Sequence, residues 1–400
     1  MAPSRVLVLV LAGGAGSRLE LLTERRAKPA VPFGGSYRLI DFPLSSCRHS
    51  GMPEVWIAQQ QHPVSLAEAL VNGRPWDLDR TTGGLVLLPP ARGAQREGWH
   101  HGTADALWKH APLVRDAAPE ALVVLSADAV YRMDYDEVVR GHLDSEAAVT
   151  MVTTTVDRDE ASRYGVVVTD RQDRVGDYAY KPDRPASGQV TTEVFVLDPV
   201  RVLDELDAVA ADVGEDPEQI GDLGDHLLPR LVAAGEARVH RFGGYWRDVG
   251  TVEAYWSAHM DLLGARPAFD LDDPDWPILT RGARTPPARL ARTAAVADSL
   301  VAGGAVVAGE VDRSVVSAGA VVERGAVVRR SVLLPGAVVR SGAVVEKAVV
   351  DSGTTVGRGC RVGGPRGDVA LAGGGAAMRR GTEVPPGGRW PRRGRSDDGH

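Results

Sequence analysis

The sequence predicts an α/β fold class in two parts, a mostly parallel sheet domain covered by helices and then a parallel β-helix. Two patterns carry this reading. From Val6 to about Leu262, short β-branched runs alternate with longer helical stretches. Beyond them the chain repeats itself: SVVSAGAVVERGAVVRR begins at Ser314, SVLLPGAVVRSGAVVEK at Ser331 and AVVDSGTTVGRG at Ala348, 17 residues apart without a gap.

Strands are expected at Val6 to Leu11, Val55 to Ala58, Leu122 to Ser126, Ala148 to Thr153 and Val194 to Leu197. Helices are expected at Ser65 to Val71, at Thr103 to Ala111 with Pro112 as the stop, and at Thr251 to Leu262, which closes a first domain over residues 1–265. Residues 266–290 shift to Pro, Asp and Arg and read as a linker. Each repeat divides into three Val-rich sides separated by turns carrying Gly, Ser or charge, which describes one coil of a three-sided prism with aliphatic side chains stacked inward. Valine pairs six residues apart do not give the 3.6-residue period of a helix. The β-helix is placed at residues 291–362, and the Gly- and Arg-rich stretch 363–400 is read as a solvated, largely disordered tail.

Composition excludes several classes. A net charge of −7 on 400 residues leaves no broad basic face for nucleic acid. No run approaches the roughly 20 apolar residues of a membrane span. The apolar start at Val6 runs into Gly13, Gly14 and Gly16 without a small-residue cleavage pattern, so it reads as a buried strand rather than a secretory leader. Cys47 and Cys360 are the only cysteines and form no metal or disulfide pattern, which fits a reducing cytoplasm.

The chemistry begins at LAGGAGSRL, Leu11 to Leu19, where glycines follow a strand directly. The backbone of Leu11, Ala12, Gly13 and Gly14 can then approach a phosphate or base edge with no side chain between. The spacing is neither the dinucleotide fingerprint nor the Walker A loop, since no GK[ST] follows. Arg18 and Lys28 add the positive charge that a phosphate under attack and a departing pyrophosphate require.

Further motifs follow in order: AKPAVPFGGSYRLIDFPLS from Ala27, GTADAL from Gly102, YRMDY from Tyr131 and YWRDVGTVEAYW from Tyr245. Together with GGAGSRL and the hexapeptide-like repeats they resemble the bacterial glucose-1-phosphate adenylyltransferase family over about residues 5 to 362. The resemblance implies a Rossmann-like nucleotidyltransferase domain, a left-handed β-helix, a homotetramer, and ATP and glucose 1-phosphate as substrates giving ADP-glucose and pyrophosphate. It implies Mg²⁺ held by Asp128 and Asp248, with Arg18, Lys28 and Asp128 catalytic. Gln59 would meet the base, and Gly102 and Thr103 would open a helix facing the nucleotide. The sugar phosphate would be met by His100, Gly165, Tyr180, Lys181, Thr191 and Asp248.

The departures lie on the sugar side. Tyr180 stands where the family has a glutamate for sugar hydroxyls, His100 and His101 where it has a tyrosine, and Thr191, Thr192 and Glu193 where it has serine, methionine and glycine. Two other readings stay open: a paralogue with another sugar or base, or a non-catalytic subunit. A hexapeptide acyltransferase is disfavoured because His142, His226 and His240 all precede the coils that would carry its catalytic base. Ser36 replaces the family's lysine for anionic activators, and a neutral hydroxyl cannot supply that attraction. Fructose 1,6-bisphosphate is therefore expected to activate pyrophosphate release weakly or not at all, and strong activation would overturn the role given to Ser36.

Overall fold

The computed structural model describes residues 5–14, 16–90, 98–214, 217–282 and 285–391. The first domain is built on a nine-stranded sheet. Its strands are β1 (Val6–Ala12), β2 (Glu54–Gln59), β3 (Gly84–Leu88), β4 (Ala121–Ser126), β5 (Val149–Thr155), β6 (Gly165–Thr169), β7 (Val175–Tyr180), β8 (Gln189–Leu197) and β9 (Ala237–Arg241). The spatial order is β7-β6-β8-β4-β1-β2-β3, with β5 on β8 and β9 on β5. β4, β1, β2 and β3 run parallel, as β9 does to β5, whereas β8 is antiparallel to β4, β5 and β6. The sheet is thus mixed, with its parallel half where the β-branched runs predicted it. Val6, Val8 and Val10 of β1 enter one buried cluster while Leu7 and Leu9 enter another on the opposite face. Burial on both faces explains why this strand reads as a continuous apolar run.

Helix α1 (Asp41–His49), α2 (Pro63–Leu70), α3 (Thr103–Ala117), α4 (Tyr135–Leu143), α5 (Pro199–Asp212), α6 (Leu227–Ala233) and α7 (Val252–Met260) cover the sheet and its edge. α3 corrects an expectation, for it continues through Pro112 to Ala117. Proline inside a helix costs about 3 kcal/mol. Here Leu107, Ala111 and Val114 are fully buried on either side of it, and the Trp108 indole donates to Asp207 at 3.0 Å. Burial of that face outweighs the lost backbone bond.

The second domain consists of three parallel sheets of five, six and six short strands. Successive coils pair in register, Val316 with Leu333 and Leu333 with Val350. The coils begin at Arg289–Leu290 and do not stop at Gly363. Ala370–Ala372, Glu383–Val384 and Arg389–Trp390 add further strands to the same sheets, so the tail expectation is corrected through residue 391; residues 392–400 lie outside the described residues. Val350 pairs with Ala372, 22 residues on rather than 17, because longer turns intervene. Those turns hide the repeat, and Ala370, Ala372 and Val384 still join the buried interior of the coils.

The two domains share a core. Leu19, Leu22, Phe33 and Tyr255 pack in one cluster with Val315, Val332, Val349 and Leu371. Arg26 holds Asp351 through two hydrogen bonds of 2.9 and 3.1 Å, and the Trp256 indole donates to the Arg330 carbonyl at 2.7 Å. The expected linker contributes too: residues 266–282 carry no helix or strand, yet Phe269 and Ile278 are buried.

His259 of α7 lies inside this shared core. Its Nε2 accepts the Gly34 N–H at 3.1 Å, so Nδ1 carries the proton donated to the Tyr255 carbonyl at 2.8 Å. Burial depresses its pKa to about 4. His100, His110 and His142 are lowered to about 4, again first by burial. A depressed folded-state pKa means that the unfolded chain takes the proton first. The contribution is complete above about pH 6.5 and lost as pH falls towards 4, about 3 kcal/mol for His259 alone. The urea midpoint is expected to fall steadily between pH 6.5 and 4, and a flat midpoint would overturn the neutral buried state.

Candidate active site

The chain leaves β1 towards β2 and β3 on one side and returns to β4 on the other, which makes the gap between β1 and β4 a topological switch point. Ligands of open α/β sheets bind beyond the carboxyl ends of the strands at such a point. A cleft of about 450 Å³ opens there. Leu11 and Ala12 reach it from the end of β1, Gly13, Gly14, Arg18 and Lys28 from the segment after it, Ser126 and Asp128 from the end of β4, and Gly102 and Thr103 from the start of α3. Tyr180 and Lys181 reach it from β7, Thr191 and Glu193 from β8.

At its centre Lys28 Nζ donates to Asp128 Oδ2 at 2.5 Å, and the Ser126 hydroxyl donates to the other oxygen of the same carboxylate. Burial alone would lower the Lys28 pKa, but Asp128 and Asp248 outweigh it and hold the ammonium above its usual range. Burial would raise Asp128; Lys28, then the Ser126 hydrogen bond, bring it below the ordinary carboxylate value. Asp248 closes a two-stranded pairing of Trp246–Asp248 with Ala129–Tyr131, opposite Ala129, so it sits beside Asp128. The Val249 N–H donates to the Asp128 carbonyl at 3.2 Å, which fixes the two segments. Burial and then the Asp128 charge push Asp248 upward. Arg18 is exposed to the cleft, and its Nη2 and the Asp248 carboxylate both crowd the position a Cβ would take at Gly250, at 3.2 and 2.9 Å.

The sugar-side residues gather on β6, β7 and β8. A Cβ on Gly165 would lie 2.7 Å from the Tyr178 hydroxyl and 2.8 Å from Thr191 Oγ1, so only glycine lets these strands close. The Tyr180 hydroxyl donates to Asp222 Oδ2 at 2.8 Å and receives the Lys181 ammonium at 2.5 Å. Burial, then Asp222, keeps that phenol protonated. Glu193 lies where β8 breaks register between Thr191 and Phe195, with φ of 58°, the left-handed region that favours glycine. Its carboxylate is open to the cleft, and its pKa rises to about 7 through desolvation and then through Asp128 and Asp248.

Three expected residues are placed differently from their neighbours. Gln59 is buried at the end of β2 with no partner on its amide oxygen among the described residues, and Gln60 and Gln61 line the cleft instead. His100 lines the same cleft as Tyr180, against Gly13 and Gln60; its backbone N–H donates to Gln60 Oε1 at 2.5 Å. The first amides of α3 are already taken, Thr103 N–H by Asp222 at 3.0 Å and Ala104 N–H by the Gly221 carbonyl at 3.1 Å. The helix therefore borders the cleft without offering those donors to a ligand. Asp222, which ties Thr103 to Tyr180, has no signature in the sequence: an aspartate in an acidic, Gly-containing loop stands out only once the fold closes over it.

A glycine loop with lysine, arginine and paired carboxylates at a switch point, followed by a β-helix, defines the nucleotidyltransferase class. A nucleotidyl transferase family model matches residues 7–264, more than half of the chain, and a GlmU-like C-terminal hexapeptide model matches residues 282–368. The chain is similar to a glucose-1-phosphate adenylyltransferase of Thermotoga neapolitana, 40% identical over 326 residues that cover 81% of this chain and 76% of the relative. The same name belongs to a Thermomicrobium roseum protein, 42% identical over 76% of this chain and 70% of the relative. It belongs also to one from Bacillus cereus, 38% identical over 81% of this chain and 85% of the relative. The chain belongs to the glucose-1-phosphate adenylyltransferase family and is a sugar-1-phosphate nucleotidyltransferase.

Asp128→Asn removes the charge that partners Lys28 while keeping the side-chain shape. Turnover is expected to fall by about 100-fold or more. Pyrophosphate release measured beside a thermal melt checks this, and a folded, fully active variant would overturn the central place of Asp128.

Proposed function

We propose that the chain joins ATP to glucose 1-phosphate, releasing pyrophosphate and forming ADP-glucose. The observation that carries the reading is the Lys28 and Asp128 pair, with Asp248 and Arg18 around it, beside the glycine loop at the switch point. The relatives' names supply the particular substrates. In this reading a sugar-phosphate oxygen attacks the α-phosphorus in line and pyrophosphate leaves. Lys28 and Arg18 offset the charge that builds on the phosphates, and the glycine loop brings backbone N–H groups close to them. Lys181 meets the sugar phosphate, and Gly165 and Thr191 border the sugar.

The donor chemistry fits Mg²⁺. Asp128 and Asp248 are neighbouring hard oxygen donors, and Asp248 is pushed upward by burial and then by the Asp128 charge, which a cation between them would offset. No cluster of three or more metal-ligating side chains occurs among the described residues, which suits an ion held by one or two carboxylates and the substrate phosphates. Mg²⁺ would neutralise phosphate charge there.

A homo-oligomer is part of the same reading. The first coil presents unpaired strand edges, with Leu290 57% exposed, and such edges are normally covered. A tetramer follows the family resemblance. A cytoplasmic place agrees with the two buried free cysteines and with the lack, among the described residues, of any helix long and apolar enough to cross a membrane.

A second reading keeps the chemistry and changes the sugar. It is favoured by Glu193, a carboxylate in the sugar half of the cleft, and by Tyr180, whose hydroxyl is already committed to Asp222. A matrix of nucleoside triphosphates against sugar 1-phosphates, read by pyrophosphate release, separates the two. ATP with glucose 1-phosphate is expected to give the highest kcat/KM. Another sugar exceeding it by about tenfold, a difference of roughly 1.4 kcal/mol in transition-state binding, would replace the first reading with the second. Nucleotide binding without turnover in every combination would overturn both.

A further inference from the structure

The loop that carries Arg18 is tied to the last described coil of the β-helix through Glu20. Glu20 has φ 53° and ψ −121° within a segment otherwise wound as a short 3₁₀ turn. Such a backbone costs a residue with a Cβ about 1–3 kcal/mol and persists only where its surroundings fix it. Arg389 does the fixing. Its Nε donates to Glu20 Oε2 at 2.5 Å and its Nη2 to Oε1 at 2.8 Å. The third nitrogen, Nη1, donates to the carbonyls of Val369 and Gly387, both at 2.9 Å, and Gly388 at 3.3 Å. The guanidinium is thus anchored in the coil on one edge and grips the catalytic domain with the other, a planar arrangement that lysine cannot reproduce.

Arg18 is two residues from this clamp. Its guanidinium has no hydrogen bond or ion pair among the described residues, so its aim into the cleft is set by its backbone. That backbone is held at Leu19, which is fully buried; at Glu20; and at Leu21, which packs so closely on the coil that a Cβ on Gly373 would approach it to 2.9 Å. The Thr23 hydroxyl donates to the carbonyls of Gly16 and Glu20, at 2.9 and 3.2 Å, and closes the turn.

We propose that Arg389 is a positioning residue for nucleotidyl transfer: by holding Glu20 in its left-handed conformation it aims Arg18 at the phosphates, so the coil after the regular repeats supports the active site. The proposal rests on the role given to Arg18 above. Neither the family models, which end at residue 368, nor the motifs of the repeat include Arg389.

The test measures kcat, both KM values and thermal melting for the full chain and for Arg389→Ala, Arg389→Lys, Glu20→Gly, Arg18→Ala and the Arg389→Ala, Arg18→Ala double variant. Arg389→Ala is expected to lower kcat on the order of 10–100-fold, the scale of a small misplacement of a charge-stabilising group, with KM for the sugar phosphate little changed. Arg389→Lys is expected to fall between it and the native chain. Glu20→Gly relieves the backbone cost and removes the carboxylate, so it should melt no lower than the native chain and still lose kcat. In the Arg18→Ala background, Arg389→Ala should add no more than about twofold, because both changes act through one group. A fully active Arg389→Ala, or one that costs the same with and without Arg18, would overturn the proposal alone. An Arg18→Ala enzyme as fast as the native chain would overturn the role of Arg18 as well.

Discussion

The buried pairing of Lys28 with Asp128 is the contact around which the catalytic half is arranged. One partner comes from the segment after β1 and the other from just beyond β4, so the bond spans the switch point of the sheet. Only 9% of the lysine side chain is exposed. A lysine ammonium in that place requires a carboxylate, and removing one partner of such a pair typically costs about 3–5 kcal/mol. The same requirement keeps Asp128 ionised, although Asp248 and Glu193 stand near it. Charge balance and chain topology therefore fix one another: the cleft exists where the strands diverge, and the ions that line it hold the diverging segments together.

That arrangement is completed from the β-helix. The coils share a continuous core with Leu19, Leu22 and Phe33, residues that flank the glycine loop and Lys28. Arg26, two residues before Lys28, is held by Asp351 of a coil, and Glu20, two residues after Arg18, by Arg389 of a later one. Arg18 and Lys28 thus each have a neighbour two positions away that is clamped by a bidentate ion pair to the second domain. Packing across the boundary consequently reaches the chemistry through backbone position, not through side chains that touch substrate.

What the sequence disclosed follows from how local each signal is. β1 and the coils from Ser314 to about Val362 were legible because an apolar run or a 17-residue period is complete within a short window. The coils from Gly363 to Trp390 were not, because their turns lengthen and the register with earlier coils exists only in space. The antiparallel placement of β8 was hidden for the same reason: pairing with β4, β5 and β6 joins segments distant in sequence. Of the site residues, Lys28, Asp128 and the glycine loop converge as the motifs implied. Gln59 is buried at the end of β2 and His100 lines the cleft against Gly13, since a position at a strand end or before a helix does not determine which wall of the cleft a side chain joins.

Glu193 illustrates the harder case. Its left-handed backbone explains why glycine suits the position, and the break in β8 explains why any side chain placed there turns into the cleft rather than along the sheet. A glutamate at this point therefore has two effects. It carries a backbone cost that glycine would avoid, and it adds a fourth carboxyl group, after Asp128, Asp248 and Asp222, to a region whose cations are Arg18, Lys28 and Lys181. Burial first, and then the neighbouring carboxylate charge of Asp128, displaces both Glu193 and Asp248 upward. A ligand that enters must meet this field with phosphates on one side and hydroxyls on the other. The phosphate end can settle only where Arg18, Lys28 and Lys181 or a divalent cation outweigh the carboxyl groups, while the hydroxyl end can donate to Glu193 without opposition. In the function proposed above, the polarity of the cleft would favour one orientation of a sugar phosphate, with its anionic end towards the cations and its hydroxyls towards Glu193 on β8.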